Sequence, residues 1–209
     1  MGMSVSRKWF AWAMPRLARH YDALLADRKR DLLRDLAGTV LEIGPGSGVN
    51  FRYYPRAIHL VGFEPNEYLH PTLQRSSREA DLRIDLRCGA AEHLDFADRT
   101  ADAVVTTAVL CSVADQIQVL REIKRVLKPG GRLVFVEHIA ANRGTRLRTV
   151  QRIVRPLWRC LADGCDPVRE TDELMVKEGF KLIRLERFHL PLGPVAPHIA
   201  GVAIVQMTN

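Results

Sequence analysis

The sequence predicts an α/β fold, a doubly wound and mostly parallel seven-stranded sheet with an antiparallel hairpin at its C-terminal edge. Three observations lead there. Short apolar runs alternate with segments of helical periodicity from about residue 36 onward, a pattern satisfied by a parallel sheet with helices on both faces. The run Val40–Ile43 opens directly into Gly44, Gly46 and Gly48, as the first strand of such a sheet does at its ligand-binding end. Two late runs, Lys181–Leu190 and Ile199–Met207, flank a segment rich in proline and glycine at 191–197, and read as an antiparallel pair.

Ser6–Leu36 has helical character, broken or restarted at Pro15, and mixes Trp9, Phe10, Trp12 and Tyr21 with arginine and lysine. Strands are expected at Val40–Ile43, Ile58–Phe63, Leu82–Arg87, Ala101–Ala108 and Arg132–His138. Before the fifth, Ile117, Leu120, Ile123, Val126 and Leu127 recur at helical spacing over Asp115–Leu127. Lys128-Pro129-Gly130-Gly131 then stops that helix. No internal repeat or flexible linker is visible. The expected organisation is an N-terminal helical lid, 1–36, and one domain, 37–209, with a helical insertion around 143–178.

At 209 residues and 47% hydrophobic content, the chain can bury a full core. No apolar run approaches the ~20 residues that cross a bilayer, and no signal-peptide pattern opens the sequence. Cys88, Cys111, Cys160 and Cys165 show no CxxC pairing and read as free thiols in a reducing compartment. A cytoplasmic location is expected, with peripheral membrane contact as the alternative. The net charge of +7 admits an anionic partner without establishing one.

The glycine stretch departs from the dinucleotide fingerprint, which wants its third glycine where Val49 stands. Glu42, just ahead of it, would repel a pyrophosphate and suits a cationic ammonium. Glu64 ends the second strand, 20 residues after Gly44, the interval at which an acid meets ribose hydroxyls. A carboxylate can accept from both. Gly89, Ala90 and Ala91 are small enough to let an adenine lie against backbone, and Glu92 could accept from its amine. A nucleoside with a cationic amino-acid tail is S-adenosylmethionine (SAM). Asn50 and Phe63 complete the expected cofactor set. Singly, these residues also read as a turn, a capped polar group and an ordinary strand-end acid. In this order at strand ends they specify the ligand.

On "VLEIGPGSG", "GFEPN", "GAAEHL", "ADAVVTTAVLCSV" and "LREIKRVLKPGGRLVFVEH", the sequence resembles the class I SAM-dependent methyltransferases, of Rossmann-like fold, over about Leu36–Val205. "TAVLCSV", "FVEHIAA", "LADGCDPVRET" and "PHIAGVAI" are similar to the alkyl thiol methyltransferases of the mammalian endoplasmic reticulum and lipid droplets. More loosely the chain resembles ubiquinone and phospholipid methyltransferases. The resemblance implies that Glu42 reaches the methionine end of SAM, with Gly44 and Gly46 lining it. It implies that Glu64 binds ribose beside Pro65 and Asn66, that Ala91 and Glu92 border adenine, and that Thr107, Ala108 and Val109 close the site. It also implies S-methylation of a small apolar thiol, with S-adenosylhomocysteine as product. The alternative is O-, N- or C-methylation of a quinone, phospholipid or other lipid-like acceptor. The mammalian members carry a hydrophobic N-terminal anchor that this sequence lacks, so membrane residence is not implied.

A thiol acceptor reacts as thiolate, and at a pKa of ~8.5 only a few per cent is ionised at neutral pH. His138, at the end of the fifth strand, is the first candidate base, with a backbone-satisfied histidine as the alternative. His198 is the second. Tyr21 resembles a pocket-closing tyrosine of the quinone-type relatives, or is simply the apolar side of its helix. Cys88 and Cys111 read as small hydrophobes, and Cys165 as shaping a loop over the substrate. No HxxxH or CxxC spacing occurs, so no metal is expected. Arg148, Arg152, Arg155 and Arg159 share one helical face. The apolar side of that helix is expected to pack on the domain or roof the pocket. Its basic face is expected in solvent, with contact to anionic lipid as the alternative. With 7% aromatic residues and no recognition module, nucleic acid is not an expected partner. Monomer and homodimer both stay open.

Overall fold

The seven strands order as β3-β2-β1-β4-β5-β7-β6. They are β1 (Thr39–Ile43), β2 (His59–Phe63), β3 (Ile84–Arg87), β4 (Ala101–Thr107), β5 (Leu127–His138), β6 (Phe180–His189) and β7 (Pro197–Val205). The first five pair in parallel, and β7 runs antiparallel between β5 and β6. This architecture is the expected one. The computed structural model describes residues 2–206, without the side chains of residues 2–6, Phe10 and Met14. The expected aromatic contribution of Phe10 and the last expected strand residue, Met207, lie outside the described residues.

Strand β1 pairs with β2 on one side and β4 on the other, with Glu42 opposite both Gly62 and Val105. There the strand order reverses, and such switch points open the crevice in which ligands bind. Successive residues of β1 feed opposite faces, as a period of two demands. Leu41 and Ile43 join Val104, Leu133 and Phe135 in one core cluster. Val40 joins Leu60, Val105, Val134 and Leu25 in the other. Each fully buried side chain of this kind contributes roughly 1.5–3 kcal/mol.

Helix α3 (Gln116–Val126) buries the expected Leu120, Ile123 and Val126. Asp115 caps it, accepting from the Gln118 N–H at 3.0 Å. Strand β5 starts earlier than expected because Lys128–Gly131 continues as an irregular extension, with Leu127 opposite Ala101. Helix α2 (His70–Glu79) follows β2.

Two expectations need correction. Helix α1 (Gly2–Leu33) is continuous through Pro15 rather than broken there. The lost backbone hydrogen bond is outweighed by the buried stripe Ala18, Asp22, Leu25, Lys29 and Leu32. Helix α4 (Arg146–Leu161) is also turned from its expected orientation. It buries Arg148 and Gln151, while Val150, Ile153, Leu157 and Leu161 face out at 43%, 73%, 65% and 68% exposure. The cause is polar pairing. Arg148 Nη2 meets Glu170 at 3.0 Å, and Arg155 Nη2 meets Asp166 at 2.6 Å. Gln151 donates to the Pro194 carbonyl and accepts from the Ala141 N–H. Helix α5 (Thr171–Lys177) precedes β6.

Candidate active site

The carboxyl ends of β1, β2, β4 and β5 meet at a cavity of about 570 Å³, within the ~300–1,000 Å³ usual for small-molecule sites. Of the residues singled out in the sequence for cofactor or catalysis, seventeen line it: Tyr21, Glu42, Gly44, Gly46, Asn50, Phe63, Glu64, Pro65, Asn66, Ala90, Ala91, Glu92, Thr107, Ala108, Val109, His138 and His198. Gly89 does not. A Cβ there would meet the Phe63 ring at 3.3 Å, so its smallness serves packing.

Glu42 is fully buried at the tip of β1. Its Oε1 accepts from Asn50 Nδ2 at 2.7 Å, while Oε2 is buried without a hydrogen-bond partner. Burial pushes its carboxyl up to about 7, against the opposing pull of Asn50, Tyr54 and Lys29. Asn50 also donates to Thr107 Oγ1 at 3.1 Å. Gly44 follows at φ +61°, and a Cβ on it would stand 2.8 Å from Val109 Cγ2, so only glycine fits the turn.

Glu64 ends β2 and ties two loops together. Oε2 accepts from the Gly46 N–H at 3.0 Å and Oε1 from the Asn66 N–H at 2.9 Å. Burial raises its pKa against these bonds, and each oxygen keeps a lone pair for a further donor. Glu92 is engaged differently from expectation: Oε1 accepts from the Ala114 and Asp115 N–H groups, which leaves Oε2 for any amine.

One cation went unread in the sequence. Lys29, on α1, is wholly buried and lines the cavity. Its Nζ lies 2.9 Å from Asp22 Oδ1, and burial lowers its pKa. Tyr53 donates to Asp22 Oδ2 at 3.0 Å, and Arg52 pairs with the same oxygen. The signal was present: positions 18, 22, 25, 29 and 32 recur at helical spacing, and two of them are charged.

On the far wall stand His138, His198 and Tyr21, with Leu192 and Val195. His138 Nε2 lies 2.8 Å from Cys165 Sγ, and its Nδ1 is buried without a partner. His198 donates or accepts through Nδ1 at the Ala196 carbonyl; since a carbonyl only accepts, Nδ1 carries the proton. Burial holds this ring down to about 4, so it is neutral at physiological pH. It stacks on Phe188 at 5.6 Å and on the far side meets Tyr21 at 5.6 Å. The Tyr21 hydroxyl is buried and unpartnered. Cys165 is held down to about 4, first by a hydrogen bond from Cys111 and then by His138. Cys111 is pushed up by the same bond and by burial.

Residues 41–135 match the family described as "Methyltransferase domain". The chain is 35% identical over 214 residues to the thiol S-methyltransferase TMT1A of Homo sapiens, covering 96% of this chain and 87% of that one. It is 34% identical over 213 residues to the thiol S-methyltransferase TMT1B of Rattus norvegicus, with the same coverage. Its fold superposes on a putative methyltransferase from Bacillus halodurans with a TM-score of 0.72 at 16% identity, over 88% of this chain and 99% of that one. Sheet order, glycine turn and paired acids thus define a SAM-dependent methyltransferase. Within that class, the chain belongs to the family of the thiol S-methyltransferases TMT1.

Proposed function

We propose that this chain transfers the methyl group of SAM to the sulfur of a small, apolar thiol. The observation that carries the reading is Glu42 Oε2, a buried carboxylate oxygen at the cavity wall with no partner. An unpaired buried charge is costly, and an ammonium group is the partner its chemistry calls for. Lys29, on the same wall, supplies the cation for the carboxylate of an amino-acid tail. Glu64 takes the ribose hydroxyls on its remaining lone pairs. Ala90, Ala91 and Phe63 offer adenine a flat apolar bed, and Glu92 Oε2 accepts from its amine. Thr107, Ala108 and Val109 bound the tail from β4.

When bound, SAM supplies a methyl already activated on a positive sulfur. The chain's task is to hold an acceptor in line with it, and alignment alone is worth ~7–11 kcal/mol of a barrier. We assign His138 to activation of the acceptor's thiol and Tyr21 to closing the cavity over both ligands. Helix α1 serves as the lid, since Leu17, Ala18, Tyr21 and Lys29 all line the space beneath it. Isothermal titration with SAM, followed by turnover on thiols beside phenols, amines and quinones, tests this. Binding at one site and turnover confined to thiols is expected. Turnover only on oxygen, nitrogen or carbon acceptors would overturn the acceptor class.

We also propose peripheral contact with anionic membrane from a reducing, cytoplasmic side, where the four free cysteines persist. No helix among the described residues is long and apolar enough to cross a membrane. Yet Trp9, Trp12 and Leu17 on α1 are 59%, 65% and 62% exposed, and the apolar row of α4 also faces outward. Leu17 of α1 and Ala162, the residue that ends α4, both line the cavity. Such a surface suits an apolar acceptor delivered from lipid. In vesicle flotation, more chain is expected to rise with anionic than with neutral vesicles, and less at high salt. Equal recovery with both lipids would count against the contact.

A further inference from the structure

We propose that Cys111, His138 and Cys165 form a binding site for a thiophilic divalent metal ion of the zinc type, whose fourth position takes the sulfur of the acceptor thiol. The metal site rests on geometry alone; the occupant of its fourth position rests on the reading of the cavity as a thiol-methylating site.

One ligand atom from each residue, two sulfurs and an imidazole nitrogen, lies within 4.8 Å of the other two. Zn–S bonds of ~2.3 Å and Zn–N bonds of ~2.0–2.1 Å place tetrahedral ligand atoms about 3.5–3.8 Å apart, inside that outer limit; His138 Nε2 and Cys165 Sγ, hydrogen-bonded at 2.8 Å, must part by roughly 0.7 Å to admit the ion. The three residues come from three segments: the turn after β4, the end of β5 and the loop after α4. Cys111 and Cys165 each stand 27 residues from His138 in sequence, as 138 minus 111 and 165 minus 138. The sequence spacing that argued against a metal therefore could not reveal the group. Cys111 and His138 are 1% and 4% exposed. Two thiolates, a neutral imidazole and a dication sum to no net charge, the condition under which such a group tolerates burial.

Outer partners that orient metal thiolates are present. Trp158 Nε1–H donates to Cys165 Sγ at 3.2 Å, and the Ser112 hydroxyl lies 3.4 Å from Cys111 Sγ. Among the described residues no fourth His, Cys, Asp or Glu joins the group. Two cysteines and one histidine with an open fourth position is the pattern of a catalytic rather than a closed structural zinc site. His138 lines the cavity, as do Ser112 beside Cys111 and Asp163 near Cys165, so the two cysteines sit directly behind its wall and the acceptor sulfur reaches the ion past His138. On binding, the acceptor's S–H bond breaks, its proton passes to water and a sulfur–metal bond forms. The sulfur keeps an electron pair for the methyl. The thioether produced is neutral, a weaker ligand, and vacates the position. His138 then acts as a ligand, not as the proton acceptor the sequence suggested.

The test measures zinc by plasma mass spectrometry on the full chain purified without chelator, and its shell by X-ray absorption, with and without hexanethiol. One zinc per chain is expected, held by two sulfurs and one nitrogen, with a third sulfur after the thiol is added. Cys111→Ser and Cys165→Ser should each lose the metal while still binding SAM in the calorimeter. Should either fail to fold, the wild-type absorption shell still decides. A chain that takes up no zinc, or holds it through nitrogen and oxygen only, overturns the site. A shell unchanged by hexanethiol removes the acceptor from the fourth position. A two-sulfur, one-nitrogen shell without methyl transfer to any thiol upholds the metal site and sinks the thiol reading instead.

Discussion

Replacing Glu42 by glutamine is expected to abolish useful SAM binding while making the ligand-free chain more stable. Removing one partner from a buried charge pair costs about 2–5 kcal/mol, which corresponds to roughly a 30-fold to several-thousand-fold loss of affinity. The stability gain follows from the carboxyl's rise from 4.5 to about 7 on burial. A carboxyl whose folded pKa lies above its unfolded value holds its proton more firmly in the native chain. Folding therefore carries no penalty from it below pH 4.5, a growing one between 4.5 and about 7, and the full penalty above. At 1.36 kcal/mol per unit, the full penalty is about 3 kcal/mol. The variant's advantage in denaturant melts should appear at pH 8 and vanish near pH 4.5. Wild-type SAM affinity should also weaken as pH falls through about 7, because the ammonium needs the ionised acid. A variant that binds SAM within threefold of wild type would remove the central premise.

The second large effect is expected at Asp22. Its side chain and that of Lys29 are 2% and 0% exposed, with their charged atoms 2.9 Å apart. Asp22→Ala strands an ammonium inside the protein, at a cost of about 3–5 kcal/mol. For a chain of this size each kcal/mol lowers the melting temperature by about 2–4 °C, so the melt should shift down by roughly 6–20 °C. Burial already lowers the Lys29 pKa, and losing Asp22 lowers it further. The unfolded chain then binds the extra proton, so the deficit should shrink as pH rises. Adding Lys29→Met should restore most of the lost stability, since it removes the stranded charge, without restoring SAM affinity. A melt within a degree or two of wild type would show that this pair does not anchor α1.

The fold was legible because its signals are local. Val40–Ile43 and Ala101–Thr107 are short apolar runs, and α3 shows its buried face in a simple period. The acids at 42 and 64 were legible because strand ends face the ligand in this architecture. What the sequence hid is long-range pairing. Nothing near Arg148 announces Glu170, so one arginine of a face read as solvated turns inward and apolar neighbours turn out, while Arg152, Arg155 and Arg159 stay exposed as expected. Lys29 reads as an ordinary helical lysine until Asp22 and Arg52 are brought beside it. Cys111 and Cys165 look like inert apolar residues until the chain crosses behind His138. Glu92 looked free because its partners, the Ala114 and Asp115 amides, lie in another turn.

The placement of β7 between β5 and β6 bears on how the chain is made. Within the sheet, β6 is an edge strand paired with β7, yet it leaves the ribosome first, so its ladder must wait for a later segment. The parallel half of the sheet has no such dependence and is free to assemble during synthesis. The last wall of the cavity, with Leu192, Val195 and His198, arrives with that final insertion. A nascent polypeptide stalled before Pro197 would hold both acids at their strand tips and still lack a closed chamber, which couples competence for ligand to the synthesis of β7.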